Sequence, residues 1–474
     1  MKRFWLVLLS LGLVMAFSVS AFAVDVKVSG EYYAAGLYLN KTNVNDTYYN
    51  FTPTAKGSKT VDVYPNVSTA FFYQRLRVGT DFIVSPGLKL VTRFDAMERI
   101  WGGTRNTEAE PPTAAIDSAG SRSENENIAV DWAYINYVSP IGTFDVGYMN
   151  YGATGTIFGN SSYPAGRIKY NYAKDAFTIG VDYSKIADNS YSNTNSSAYW
   201  TDGDKDVYGI EGTYKWKDGK AGMKINYYRY ADKRPDPSGP SNSKSYNYNK
   251  TYFLFTPYAT AKIGPVALQA EFNWATGNSK TYDDYVNHVT NPDVKLDQMS
   301  GWIDATATFA PVYVGATIAY VSGDDPGTLD REEGGTLTGG NDWNPCLIMF
   351  NTYDVGNWVG NVYGYGSATS GSKVTGPMAN AWFGQGRIGI KPNAQLDAML
   401  SVSHAFADKK PTGYANAAYG TEVDLTGTYK ITNNLSYMLG VGYLFTGDYF
   451  KAQDAAGTKI NDDFIIVNKL TLSF

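Results

Sequence analysis

The chain alternates between apolar and polar positions for most of its length. In its last twelve residues, DFIIVNKLTLSF, Phe464, Ile466, Leu470, Leu472 and Phe474 share one parity, with Asn468 the exception. Ile465, Val467, Lys469, Thr471 and Ser473 share the other. Period two marks a β-strand whose two faces meet different surroundings. In Thr69–Val84, Phe72, Leu76, Val78 and Phe82 oppose Tyr73, Arg75, Arg77 and Asp81. In Leu88–Trp101, Leu88, Leu90 and Phe94 oppose Lys89, Arg93 and Asp95. Eighteen such segments lay out the chain from Val26 to Phe474. Their connections alternate in length. Eight are short, among them SPG (Ser85–Gly87), SPIG (Ser139–Gly142), AKDA (Ala173–Ala176), KDGK (Lys217–Lys220) and KPN (Lys391–Asn393). Gly, Pro, Asn and Asp favour such tight reversals. Between them lie nine longer polar loops, beginning with Lys41–Val67. A β-sandwich has no cause to sort its connections by length, whereas a membrane barrel does. The pattern therefore predicts an all-β chain: an antiparallel up-and-down transmembrane β-barrel of 18 strands, with 16 as the alternative.

Parity also assigns sides. An Arg or Lys facing hydrocarbon at the bilayer midplane costs roughly 2–4 kcal/mol, so charges of one parity mark the interior. On that parity stand the candidate pore-lining residues Arg75, Arg77, Lys89, Arg93, Asp95, Asp145, Arg167, Lys169, Glu211, Glu271, Arg387, Glu422 and Asp424. Asp182, Lys224 and Lys469 join them. Arg75, Arg77 and Arg93 form one wall on neighbouring strands, and acids across the aperture, Asp145 or loop acids, would set a field that favours dipolar solutes. Ala129–Val138 reads on either parity, and Arg229 and His404 fall on the outward one.

Composition agrees with a barrel. The chain holds 39 Tyr, 10 Trp and 48 Gly, and past its first residues no apolar run is long enough for a transmembrane helix. MKRFWLVLLSLGLVMAFSVSAFA pairs two cations with an apolar run and the small-residue site Ala21-Phe22-Ala23. That is the pattern of a secretory signal peptide over residues 1–23, cleaved after Ala23 to leave one barrel domain, 24–474. Without Lys2 and Arg3, 38 cations face 45 acids, a formal charge of −7, which does not point to nucleic acid as a partner.

Two loops stand out. The third, Gly152–Gly166, carries no charge and is a candidate for folding into the lumen. The seventh runs from Gly323 to about Asn380 and contains the apolar run Leu347–Phe350, which must pack into the lumen, over the mouth or against a neighbouring subunit. Hydrolytic chemistry would need a nucleophile with a base. The two histidines, His288 and His404, have no Ser or Asp placed to join them, so no enzyme is expected. Covalent haem needs C-x-x-C-H, and Cys346 is the one cysteine. Neither a cofactor nor a metal site is assigned; the acidic pairs in GDDP and NDD read as solvated loop tips.

The strand rhythm, the SPG and SPIG turns and the terminal LTLSF resemble Gram-negative outer-membrane porins over the whole mature length. By strand count the chain is similar to the 18-stranded, substrate-specific members. The resemblance implies residence in the lipid of the bacterial outer membrane. It implies passive diffusion of small hydrophilic solutes and ions through a water-filled pore constricted by inward loops. A substrate-specific channel or exporter with an internal binding site is the alternative. It further implies a homotrimer and recognition of Leu470, Leu472 and Phe474 by the barrel-assembly machinery.

Overall fold

A computed structural model describes residues 24–44, 68–102, 128–188, 203–233, 248–282, 292–335, 337–360, 362, 373–451 and 459–474. The leader and His288 lie outside them. The described strands are β1 (Asp25–Leu39), β2 (Thr69–Ser85), β3 (Leu88–Ile100), β4 (Ile128–Ser139), β5 (Gly142–Asn150), β6 (Pro164–Lys174) and β7 (Phe177–Ala187). Next come β8 (Lys205–Trp216), β9 (Gly219–Lys233), β10 (Tyr248–Ile263), β11 (Val266–Tyr282), β12 (Val294–Phe309), β13 (Val312–Val321) and the two-residue β14 (Arg331–Glu332). The chain ends with β15 (Ala381–Ile390), β16 (Leu396–Ala407), β17 (Ala418–Lys430), β18 (Leu435–Thr446) and β19 (Asp463–Ser473). β14 lies parallel on β12 inside the seventh loop. The other 18 pair antiparallel with their sequence neighbours, and β19 pairs with β1, which closes the barrel.

That closure explains the apolar chain end. Glu31 pairs with Ser473 and Leu39 with Ile465, and Gly30 and Phe474 exchange backbone hydrogen bonds of 2.8 and 3.0 Å. A barrel leaves no edge, so the terminal strand is fully paired. The polar exception on its outer face has a use, because the Asn468 amide donates to the Gly36 carbonyl at 3.4 Å. At two of the short turns Gly87 and Gly264 take positive φ, 80° and 58°, where a side chain would be strained.

The outer face is mostly apolar across its middle, with Asn468 an exception. Val130, Ile179, Ile303, Ile318, Leu425 and Val441 project from it, all exposed. Aromatic residues gather toward its two rims. At the long-loop end Tyr208, Tyr227, Phe253, Phe255 and Trp274 form a chain of ring contacts 5.0 to 6.4 Å apart. At the short-turn end Phe144 meets Tyr170, and Phe177 meets Tyr214. An apolar waist between aromatic girdles suits a bilayer.

Strand boundaries differ from the sequence reading where the chain rises above that waist. β11 runs to Tyr282 rather than Thr276, and β12 begins at Val294 rather than Ser300. Their upper ends, with Asn278, Lys280, Lys295 and Asp297, are polar on both faces, so alternation disappears while the pairing continues. β4 was ambiguous for another reason. Opposite Arg93 and Phe94 the register skips Asp131, a bulge that puts Asp131 and Trp132 on the same side. Below the bulge Ala133, Ile135 and Tyr137 face out; above it Val130 and Ile128 do.

Candidate functional site

The candidate site is the barrel interior, and among the described residues loops 3 and 7 enter it. The third does so despite its short length. The Thr156 amide and hydroxyl donate to Glu271 Oε2 at 2.9 and 2.6 Å, and the Gly159 amide donates to Oε1 at 3.1 Å. Phe158 stacks on Trp302 of β12, 5.8 Å between centroids. Glu271 is thus a buried carboxylate roofed by loop backbone, not a free wall charge.

The seventh loop fills far more space. Its segment around 341–360 touches β2, β12, β15, β17 and β19. Asp354 takes the Tyr73 hydroxyl at 2.9 Å and Lys469 at 3.2 Å, Trp343 packs on Trp302, and Gln385 donates to the Pro345 carbonyl at 2.8 Å. The amides of Ile348 and Met349 donate to Glu422 Oε1 and Oε2, both at 2.7 Å. Only the inside of a barrel lets one short segment reach strands spread so widely round the circle. The apolar run supplies the force: Ile348, Met349 and Phe350 are all at most 4% exposed, and each such burial contributes about 1.5–3 kcal/mol. Asn351 shapes the descent by accepting the amides of Asp354 and Val355, which starts a five-residue π-helical turn, Thr352–Gly356. That turn aims Asp354 at the wall. Burial and the bond to Asp342 push the Tyr353 hydroxyl pKa up, so it stays protonated and can donate to that carboxylate.

Wall and loop together form an apolar core. Inward residues of β1, such as Leu37 and Leu39, join Phe383, Tyr419, Leu444 and Ile465 against the loop's Trp343, Ile348 and Trp358. The arc from β12 through β19 to β1 carries this core, so the lumen is the one of the three places open to the apolar run that receives it.

Charge gathers on the remaining arc. Arg77 makes a two-pronged contact with Asp95, Nε to Oδ1 at 2.7 Å and Nη2 to Oδ2 at 2.6 Å. Arg93 holds Asp131 at 2.9 Å and lies 3.6 Å from the Trp132 ring centroid. Arg75 stands between Glu31 at 3.8 Å and Glu98 at 3.9 Å. Glu98 reaches it because Met97 takes φ 52° and shifts the strand's parity. The arginines' acids therefore come from their own wall and not from across the aperture; Asp145 instead accepts from Asn136 at 2.6 Å. Nearer the short turn on the same two strands Lys89 pairs with Asp81 at 2.6 Å, and further round Tyr258 donates to Glu211 at 2.7 Å. Lys169 sits in register between Asp145 and Asp182. Arg167 and Lys224 both grip Asp182, at 2.9 and 3.0 Å, a buried group with two cations on one acid. Within the apolar arc itself lies a further pair, Arg387 of β15 with Asp304 of β12 at 2.8 Å. Asp424 shares the buried site of Glu422.

Two outward polar residues also find partners. Arg229 lies 3.7 Å from Asp206, and His404 Nδ1 lies 2.9 Å from the Thr421 hydroxyl. Parity reasoning missed Asp131 and Glu98, both on strands with a broken register. Removing a paired charge tests the arginine wall. Arg77→Met, which strands the buried Asp95, is expected to cost about 1–3 kcal/mol. Arg77→Met with Asp95→Leu should recover most of the loss, read as urea midpoints of the barrel folded in lipid vesicles.

No family model matches the sequence, and no curated protein matches it. Among solved structures, the outer-membrane channel DcaP of Acinetobacter baumannii is similar over 96% of this chain and 99% of its own, with 11% identity and a TM-score of 0.41. OccK9 (OpdG) of Pseudomonas aeruginosa gives 94% and 99% coverage, 10% identity and a TM-score of 0.48. OmpF of Salmonella typhi, solved with daunomycin, gives 96% and 99%, 13% and 0.40. Architecture here rests on the strand pairing itself.

Proposed function

We propose that the chain is an outer-membrane channel of a Gram-negative bacterium, through which small hydrophilic solutes and ions diffuse passively. One observation carries the reading: a closed barrel turns an apolar waist outward while a ladder of charged pairs stands inside. Charges on an inner wall hold water, and a lumen of this strand number is too wide for wall side chains alone to fill. Loop 7 narrows it along the arc from β12 to β1 and loop 3 crosses from β5 and β6 to β11 and β12, so the path runs beside the charged wall, past Arg75, Arg77 and Arg93. The wall's paired charges favour polar over apolar solutes without strong preference for either sign of ion. In planar bilayers the purified chain is expected to give discrete conductance steps. A folded, inserted barrel that never conducts would sink the proposal.

A second reading, a substrate-specific channel, is favoured by the buried Arg167–Asp182–Lys224 group, whose two cations are a place for an anionic solute to bind, with Glu211 in register beside Lys224. Saturable block of the current by one class of anion, lost in Lys224→Met, would select it over general diffusion. Export through the leader, assembly through Leu470, Leu472 and Phe474, and a trimeric state belong to the same proposal.

A further inference from the structure

Under loop 7, where the apolar run begins, three donor groups converge on a spot that the transport path does not use. The Cys346 thiol and the carboxylates of Glu422 and Asp424 are all buried, with donor atoms within 4.8 Å of one another. Glu422 is satisfied by the two loop amides. Asp424 is not. Its Oδ2 receives one long bond from the Leu347 amide, 3.4 Å, and its Oδ1 has no hydrogen-bond partner although the residue is only 3% exposed. That oxygen lies over Gly442, where any Cβ would stand 2.5 Å from it, so the glycine leaves the carboxylate its room. The interior cations two strands away on either side of β17 are engaged elsewhere, Arg387 of β15 on Asp304 and Lys469 of β19 on Asp354.

Two carboxylates buried side by side are costly unless something positive lies between them. We propose that Cys346, Glu422 and Asp424 bind one divalent transition-metal ion of the zinc type, which fastens loop 7 to β17. A sulfur donor with two oxygens suits zinc, whereas calcium and magnesium take oxygen ligands in larger number. Zinc bonds of about 2.3 Å to sulfur and about 2.0–2.2 Å to oxygen bring ligand atoms closer than the present spacing, a gap that small side-chain rotations close. A fourth position remains for water. The balance is simple: the sulfur–hydrogen bond of Cys346 breaks, a sulfur–metal bond forms, and the proton leaves to solvent. Three ligand charges against two on the ion leave one negative charge, which the amides of Leu347, Ile348 and Met349 offset.

The test needs no conduction. The full barrel, stripped with a chelator and titrated with zinc alone, is expected to take up one ion per chain by elemental mass spectrometry. Cadmium as a probe should give an ultraviolet sulfur-to-metal band. Cys346→Ser should abolish the band and weaken zinc binding by at least about 100-fold, more than loss of an outer-sphere partner does. Asp424→Asn, nearly isosteric, should weaken zinc binding likewise while the barrel keeps its heat-dependent gel shift; it serves where the serine variant does not fold. No uptake above background overturns the proposal, as does uptake that neither variant changes. The former result would leave the two carboxylates sharing a proton.

Discussion

Leu425→Arg is expected to destabilise the barrel by about 2–4 kcal/mol, measured by urea-dependent folding into lipid vesicles. Leu425 is halfway along β17, is 57% exposed, and stands in register between Leu400 and Val441, both exposed on the outer face. In water such an exposed leucine would tolerate arginine within about 0.5 kcal/mol. In hydrocarbon the guanidinium must be desolvated or drag water and headgroups toward it, and at the middle of the strand neither rim is near. Leu425→Met serves as the control, with about the same volume and a cost below about 1.5 kcal/mol. If arginine and methionine behave alike, the outer face does not meet lipid tails and the channel reading falls with it.

Excising residues 341–377 is expected to raise single-channel conductance at least about twofold, since an eighteen-strand lumen emptied of filling is wide enough for water. The cut is geometrically mild. Gly339 N donates to Met378 O at 2.7 Å, so the stem ends already touch and a short Gly-Ser link closes them. The ladder of strand pairs is left intact. Its cost falls on the wall that the loop covered, where Leu39, Phe383 and Leu444 would meet water. An unchanged step size would show that loop 7 does not limit the current, and that the narrowing lies with loop 3 and the wall.

Strand existence and parity were legible because lipid and lumen impose opposite chemistry on successive residues. Arg77 and Asp95, or Arg167 and Asp182, could each be placed inside on that ground alone. What parity could not supply is anything that depends on a skipped residue or on a docked loop. The bulge at Asp131 and the kink at Met97 each reverse the count, which hid two of the acids that neutralise the arginine wall. Glu271 and Glu422 were readable as inward, yet their roofs are backbone amides of loops 3 and 7, and a loop's landing place leaves no period in the sequence. The apolar run Leu347–Phe350 did announce that loop 7 must hide somewhere. Which surface received it depended on complementary residues scattered over several hundred positions.

The filling of this barrel is covalently part of its own wall. A segment held at both ends rebinds as if present at about millimolar concentration, whatever the dilution outside. Excursions of loop 7 from Glu422 and Tyr73 are therefore brief and self-correcting, and a free peptide copying residues 343–358 would compete poorly for the vacated face. The molecule carries its stopper on a leash.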